Sequence, residues 1–209
     1  MLSLRLISRK HDELSIDVGP IVVNADELKL VEGCRKGDAD ARKQLYTLYA
    51  EQMLAVCYRY TGNLDDAYDV LHDGFIKIFT NFSFRGESAL KSWMYKVMSA
   101  QAIDFMRRKS ASRLLLMDNE ELPDMPDVDE KAVMYEARGI DEERLMHMVA
   151  QLPEGCRMVF NLFVFEDKSH KEIAELLHIQ PETSKSQFRY AKKLLATKIK
   201  QFIEHEGKR

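Results

Sequence analysis

From Ser169 to Ile203 the chain reads SHKEIAELLHIQPETSKSQFRYAKKLLATKIKQFI. Ser169, followed three residues later by Glu172, has the form of a capped helix start. Ile173, Leu176 and Leu177 give that helix one apolar face. Pro181 sits comfortably only in the first turn of a helix, so a second helix is expected to begin there. Two helices joined by so short a turn, the second one basic, form the helix-turn-helix pattern. No other stretch restricts the architecture as tightly.

The second of these helices concentrates cations. Lys185, Arg189 and Lys193 recur every four residues and share a face. Phe188, Leu195 and Ile199 fall on an adjacent face, expected to pack against Ile173 and Leu176. Ser186 and Gln187 are expected outward beside the cations. A charged helix face is often merely solvated, but the complete two-helix unit favours nucleic acid. Lys and Arg beside phosphates release condensed counterions, the main source of DNA affinity. Gln and Arg at the front of such a helix can read base edges in a major groove.

The rest of the chain is consistent with helices. Of 209 residues, 45% are hydrophobic and 31% charged, with only 9 Gly and 5 Pro, which disfavours an all-β chain. Three cysteines, Cys34, Cys57 and Cys156, lie far apart, so neither a disulfide framework nor a zinc site is expected. A reducing compartment, the cytoplasm, is the simplest expectation. No membrane span is expected, and the N-terminus breaks into charge too early for a signal peptide.

Charge is unevenly spread. Residues 114–140 hold two bases and eight acids, whereas 1–113 hold 17 bases and 15 acids, and 141–209 hold 12 and 11. The formal net charge of -3 therefore originates in the middle. Two of the prolines, Pro123 and Pro126, fall there too. This is expected to be an acidic, poorly ordered linker, or else a surface loop with a short helix near VDEKAVMYEA. The predicted organisation is all-α. An N-terminal extension of unassigned role (1–25) precedes a helical domain (26–113). The acidic linker (114–140) then leads to the helix-turn-helix domain (141–209).

Four helices are predicted in the first domain. ADELKLVEGCRKG carries Leu28, Leu30 and Val31 and stops at Gly37. The next is capped by Asp38 or Asp40, has Leu45, Leu48, Tyr49 and Met53 at helical spacing, and ends at Gly62. A third opens at Asn63, with Asp66 three residues on, and buries Ala67, Leu71, Phe75 and Ile78. After the polar-aromatic turn FSFRGES, a fourth runs into the basic cluster Arg107, Arg108 and Lys109. In the second domain, DEERLMHMVAQL stops before Pro153 and EGCRMVFNLFVFED is strongly apolar.

These motifs, in this order, resemble the extracytoplasmic-function sigma factors of the sigma-70 family. DDAYDVLHDGFIKIF resembles that family's acidic helix, and FRGESALKSWMYKVMSAQAIDFMRRK its aromatic loop and melting helix. LPEGCRMVFNLF and SHKEIAELLHIQPETSKSQFRYAKKLL resemble its C-terminal domain. The resemblance implies a non-enzymatic transcription factor without cofactor or bound metal, a monomer when free. Its implied partners are promoter DNA and core RNA polymerase, engaged at the clamp helices of the largest subunit and the flap of the second-largest, with an anti-sigma factor as a further partner.

Residue by residue, the resemblance implies polymerase docking around Asp66, Asp69, Asp73 and Lys77. Asp66 can equally serve the helix start, and Asp73 can pair with Lys77 along the helix. Minus-ten promoter contacts are implied at Phe82, Phe84, Arg85, Lys91, Trp93, Tyr95, Lys96, Ser99, Gln101, Arg107 and Arg108. Aromatic faces can hold a base taken out of the stack, at about 1–3 kcal/mol per base. Trp93 can equally be a core anchor, and Phe105 and Met106 are expected in the core. Minus-thirty-five contacts are implied at Thr183, Lys185, Ser186, Gln187, Arg189, Lys192 and Lys193. The acidic linker would lie in a basic polymerase channel, with Asp124, Asp127 and Asp129 supplying charge.

Two departures stand out. Ala100 replaces an asparagine common in relatives, leaving Ser99 or Gln101 as substitutes. His178 replaces the usual turn glycine, and histidine tolerates positive φ better than most residues. Two other readings remain: a helix-turn-helix regulator acting without polymerase, and a metal-dependent phosphohydrolase suggested by the His72–Asp73 doublet. The second lacks further His and Asp ligands nearby.

Overall fold

The computed structural model describes residues 25–86, 89–110, 122–123, 133 and 137–206. Within these the chain is helical, with no strand among the described residues. It divides into two compact units, with the division between Phe105 and Met106. Asp124, Asp127 and Asp129 lie outside the described residues.

The first unit contains α1 (Ala25–Lys36), α2 (Ala39–Thr61), α3 (Leu64–Thr80) and most of α4 (Leu90–Ser110). Local chemistry explains each boundary. Gly37 and Gly62 adopt φ of 80° and 76°, the left-handed region where glycine meets no Cβ penalty. Of the two candidate caps for α2, the structure selects Asp38, whose carboxylate accepts the Ala41 N–H at 2.8 Å. Asn63 caps α3 by accepting the Asp66 N–H at 2.8 Å. Such caps are worth about 1 kcal/mol each.

Leu45, Met53, Val56, Cys57 and Tyr60 of α2 are buried, as are Ala67, Val70, Leu71, Phe75 and Ile78 of α3. Leu90, Met94, Met98 and Ala102 of α4 are also buried. The expected apolar stripe of α3 is thus found in full. Leu28 and Leu48, apolar and at helical spacing, are 55% and 54% exposed. Their spacing fits a helix face, but Leu30, Val31 and Cys34 fill the inner side of α1, and Leu45 and Met53 that of α2. Met106 is buried as expected, whereas Phe105 is only half-buried. Helix α1 approaches α2 closely at Gly33, where a Cβ would stand 2.6 Å from the Ala41 Cβ.

The second unit holds α5 (Glu142–Ala150), α6 (Glu154–Val164), α7 (His170–Leu177) and α8 (Pro181–Glu206). Asp141 caps α5 through the Arg144 N–H. Buried Arg157 donates through Nη1 to the carbonyls of Ala150 (3.0 Å) and Leu152 (2.7 Å). It thereby occupies carbonyls left over at the end of α5, where Pro153 prevents continuation. The core joins Leu145, Val149, Leu152, Cys156 and Phe160 to Ala191, Leu195, Ala196 and Ile199. This core also takes in Val133, Ala137 and Ile140, with Leu122 packed against it. Of the segment read as linker, Leu122, Val133, Ala137 and Ile140 thus pack in the second unit. Val133 is helical and Ala137–Gly139 form a 3-10 turn, while the rest of VDEKAVMYEA lies outside the described residues.

Candidate nucleic-acid interface

The turn between α7 and α8 positions the basic helix. Ser169 and Glu172 form a reciprocal cap, the Ser169 N–H donating to Glu172 Oε2 at 2.8 Å and the Glu172 N–H to Ser169 Oγ at 3.3 Å. His178 ends α7 with φ 56° and ψ 43°, a left-handed residue as its place in the turn requires. The N–H of buried Ile179 then donates to the Ala174 carbonyl at 3.1 Å and closes the turn. Helix α8 starts on Pro181, as expected.

The inner face of α8 is held by both α6 and α7. The Phe188 ring lies 4.3 Å from Phe163 and 6.0 Å from Phe160. It also meets His170 at 5.8 Å, and His170 Nδ1 is 2.9 Å from Oγ of fully buried Ser184. Leu195 and Ile199 join the core with Phe160.

Outward, α8 presents Lys185 and Arg189. Lys185 pairs with Glu182 at 3.4 Å, an exposed pair worth little in water. Arg189 has no ion pair among the described residues. Lys192 and Lys193 are half-buried, with Lys192 Nζ 5.7 Å from the Phe188 ring. Thr183 is half-buried, and its carbonyl accepts the Ser186 hydroxyl at 2.9 Å. Gln187 corrects the sequence expectation: it is 3% exposed and cannot reach a base edge. It lies between buried Ser184 and Ala191 on the helix, inside the apolar face rather than beside the cations.

The first unit's aromatic site lies between α3 and α4. Trp93 is flanked by Phe82 at 5.4 Å and Phe84 at 5.5 Å, both rings tilted against it. Phe84 is 5% exposed, so its ring supports the cluster from below and is not free to receive a base. Phe82 and Trp93 are half-buried and retain accessible surface. Lys91 Nζ lies 5.6 Å from the Tyr95 ring, and Arg85, Lys91 and Lys96 are exposed. Ser99 is also corrected: at 3% exposed it cannot replace the missing asparagine. Gln101 and Arg107 are half-buried and Arg108 exposed.

A third surface was only partly legible. On α3, Asp69, Asp73 and Lys77 are exposed, but Asp66 is half-buried and bonds with the Asn63 side chain. Asp73 and Lys77 form no ion pair among the described residues. Asp65, Asp69 and Asp73 make one row; a parallel row holds Leu64, Tyr68, His72 and Ile76. Leu64, Tyr68 and Ile76 are 55%, 46% and 63% exposed. The sequence reading did not single these three out; Leu64 and Tyr68 each precede an acid, and Ile76 precedes Lys77. Among the described residues no group of three His, Cys, Asp or Glu side chains gathers around His72 and Asp73 or elsewhere.

Comparison with known proteins accounts for both units. Residues 45–112 match the family described as sigma-70 region 2, and residues 142–195 match sigma-70 region 4. The chain is 25% identical over 179 residues to the ECF RNA polymerase sigma factor SigW of Bacillus subtilis, covering 82% of this chain and 96% of the relative. It is 28% identical over 179 residues to the ECF RNA polymerase sigma-E factor of Haemophilus influenzae, covering 81% and 93%. Among solved structures, the sigma factor RpoE, in complex with the anti-sigma factor NepR from Bartonella quintana, aligns with TM-score 0.40 and 19% identity, covering 76% of this chain and 96% of that one. With one matched region in each unit and relatives aligned along nearly their whole length, the chain belongs to the sigma-70 family, among its extracytoplasmic-function sigma factors.

Proposed function

We propose that this sigma factor divides its work among three surfaces. As a sigma factor it binds core RNA polymerase and directs promoter recognition, DNA melting and transcription initiation. The outward face of α3 docks on the polymerase, with Leu64, Tyr68 and Ile76 supplying apolar contact and Asp65, Asp69 and Asp73 orienting it. Helix α8 grips duplex at the minus-thirty-five element through Lys185 and Arg189. The Phe82–Trp93 cluster receives a base extruded from the minus-ten element, with Arg85, Lys91 and Lys96 on phosphates.

The observation that carries the reading is the contrast between two DNA-facing chemistries on one chain. Exposed cations on a rigid helix suit intact duplex, whose phosphates are always available. Half-exposed rings suit strands already parting, because paired bases cover their own faces. An acidic linker, proposed here to occupy a basic polymerase channel, separates the two. A regulator that needed only its helix-turn-helix would have no use for the first unit.

The test is transcription with core polymerase on one promoter, as full duplex and with the minus-ten region pre-opened. Phe82→Ala should slow initiation on duplex, and the opened template should restore most of the loss. Lys185→Ala with Arg189→Ala should weaken both templates alike. Rescue of the cation variant by pre-opening, with none for Phe82→Ala, would reverse the assignment. Tight promoter binding without core polymerase would favour the regulator.

A further inference from the structure

The loop that carries Phe82 and Phe84 has almost no backbone support of its own. From Phe82 to Gly86 no backbone N–H or carbonyl pairs with another backbone group among the described residues. Gly86 adopts φ 82°, so the chain turns there. Yet the loop must hold its rings against Trp93 in a defined arrangement.

Two guanidinium groups from other helices supply the missing polar hold. Arg35 of α1 donates through Nη2 to the Phe84 carbonyl at 3.1 Å, 49 residues away in sequence. Glu32, one turn earlier, accepts from Arg35 Nη1 at 3.0 Å and orients the fork. Arg42 of α2 donates through Nη2 to the Phe79 carbonyl at 3.0 Å, in the last turn of α3. Carbonyls in a last helical turn have no partner within the helix. The Arg42 guanidinium also lies 5.7 Å from the Phe79 ring. That ring is 5.6 Å from Phe75, which is 4.7 Å from Tyr46 of α2. The two arginines thus bracket Phe82, one fastening the chain before it and the other after it.

We propose that Arg35 and Arg42 are positioning residues for promoter opening: by holding the carbonyls of Phe84 and Phe79 they set the path of the loop, and hence the Phe82–Trp93 face offered to an extruded base. Neither arginine contacts DNA in this scheme. The proposal rests on the reading of that cluster as the base-receiving site. Hydrogen bonds from a charged donor are stronger than neutral ones, and a rigid fork fixes direction as well as distance. Arg35 is half-exposed, so its hold can be exchanged with water when the loop must move.

The chain's single tryptophan lies in the cluster, so its fluorescence reports loop placement directly. Arg35→Met and Arg42→Met keep the aliphatic stem and remove the donors. Each should make Trp93 of the free full-length protein more accessible to acrylamide quenching. Each should slow open-complex formation by the holoenzyme on duplex promoter about tenfold. A template pre-opened at minus-ten should recover most of that loss, while initial duplex binding stays near wild type. Lys29→Met, which removes a cation from α1 without touching the loop, should behave as wild type. Arg→Lys variants retain charge without the fork and should fall between wild type and Met. They also decide the question if a Met variant loses helical signal. Wild-type quenching together with wild-type duplex rates in the Lys and Met variants would overturn the proposal, as would a loss that pre-opening leaves unchanged. Failure of wild-type holoenzyme to initiate on either template would instead sink the function proposed above, and Trp93 quenching would still decide whether the arginines place the loop.

Discussion

The two units differ in what they leave outside. Every large exposed hydrophobic side chain among the described residues belongs to the first unit: Leu28, Leu48, Leu64, Tyr68 and Ile76. In the second unit, the outward face of α8 is cationic instead. Both units bury a helical core, so on the proposed reading the difference lies in the partner each surface meets. Apolar side chains gain by leaving water against another protein, whereas cations gain by displacing ions from phosphate. A sigma factor needs both, and on the proposed reading the exposed apolar contact falls to the first unit alone, while exposed cations occur in each.

The largest expected effect tests the first half of that contrast. Tyr68→Ala combined with Ile76→Ala should weaken core polymerase binding by about 100-fold, since truncated interface anchors typically cost 2 kcal/mol or more. The loss should vary little with salt, because no charge is removed. Titration of labelled sigma factor with core polymerase at two salt concentrations measures it. A loss that vanishes at high salt would shift the docking role to the acidic row alone.

The second unit should behave in the opposite sense. Arg189→Ala should lower promoter affinity of the holoenzyme about tenfold and flatten its salt dependence by roughly one counterion. Gln187→Met should leave affinity within about twofold, since the side chain is buried away from the groove. Relaxed sequence preference in Gln187→Met, with none in Arg189→Ala, would mean that α8 presents a different face to DNA.

Gln187 also shows where sequence ceases to be informative. Helix positions, caps and the two-unit organisation follow from local rules: Ser169 with Glu172, Asn63, Gly37, Gly62 and Pro181 all act where they were expected. Burial on a helix wheel is less certain. Gln187 is polar and two residues from Arg189, yet it points into the unit because Ser184 and Ala191, at spacings of three and four, mark the buried face. Ser99 and Phe84 fail for the same reason, being assigned by chemistry without knowledge of the opposing surface. Leu28 and Leu48 are the reverse case, apolar residues that stand exposed among the described residues. Arg35 and Arg42 could not be found at all, because their bonds reach backbone carbonyls 49 and 37 residues away.

A smaller effect compares the stability of the two units through their thiols. Burial pushes Cys57 in the first unit up to about 12 and Cys156 in the second up to about 11, from an ordinary 9.0. Both are therefore protonated and unreactive at neutral pH. A raised value favours the folded state below pH 9.0 and is lost as pH climbs through the folded value. Relative to Cys156→Ala, the wild-type second unit should lose stability above about pH 9 and level off near 11. The first unit, compared with Cys57→Ala, should continue to lose it toward 12. Urea unfolding across pH, followed by Trp93 fluorescence for the first unit and residual helical signal for the second, checks this. Rapid labelling of either cysteine at pH 7 would contradict the burial on which it depends.

The smallest effect separates turn strain from DNA contact in the second unit. His178 holds φ 56° and ψ 43°, a conformation that costs a residue with a Cβ about 1 kcal/mol. Glycine adopts it freely but loses more entropy on folding, which returns part of the gain. His178→Gly should therefore stabilise the second unit by only a few tenths of a kcal/mol. The side chain is exposed and its N–H bond to the Ala174 carbonyl is backbone, so neither the turn nor the placement of α8 should change. Promoter affinity should then match wild type at low and high salt. An unchanged unfolding midpoint with weaker promoter binding would show that His178 touches DNA, and the second unit's contact surface would extend past the cations of α8 into the turn. A rise in stability without loss of affinity leaves the turn as geometry alone, with phosphate contact confined to the helix that follows.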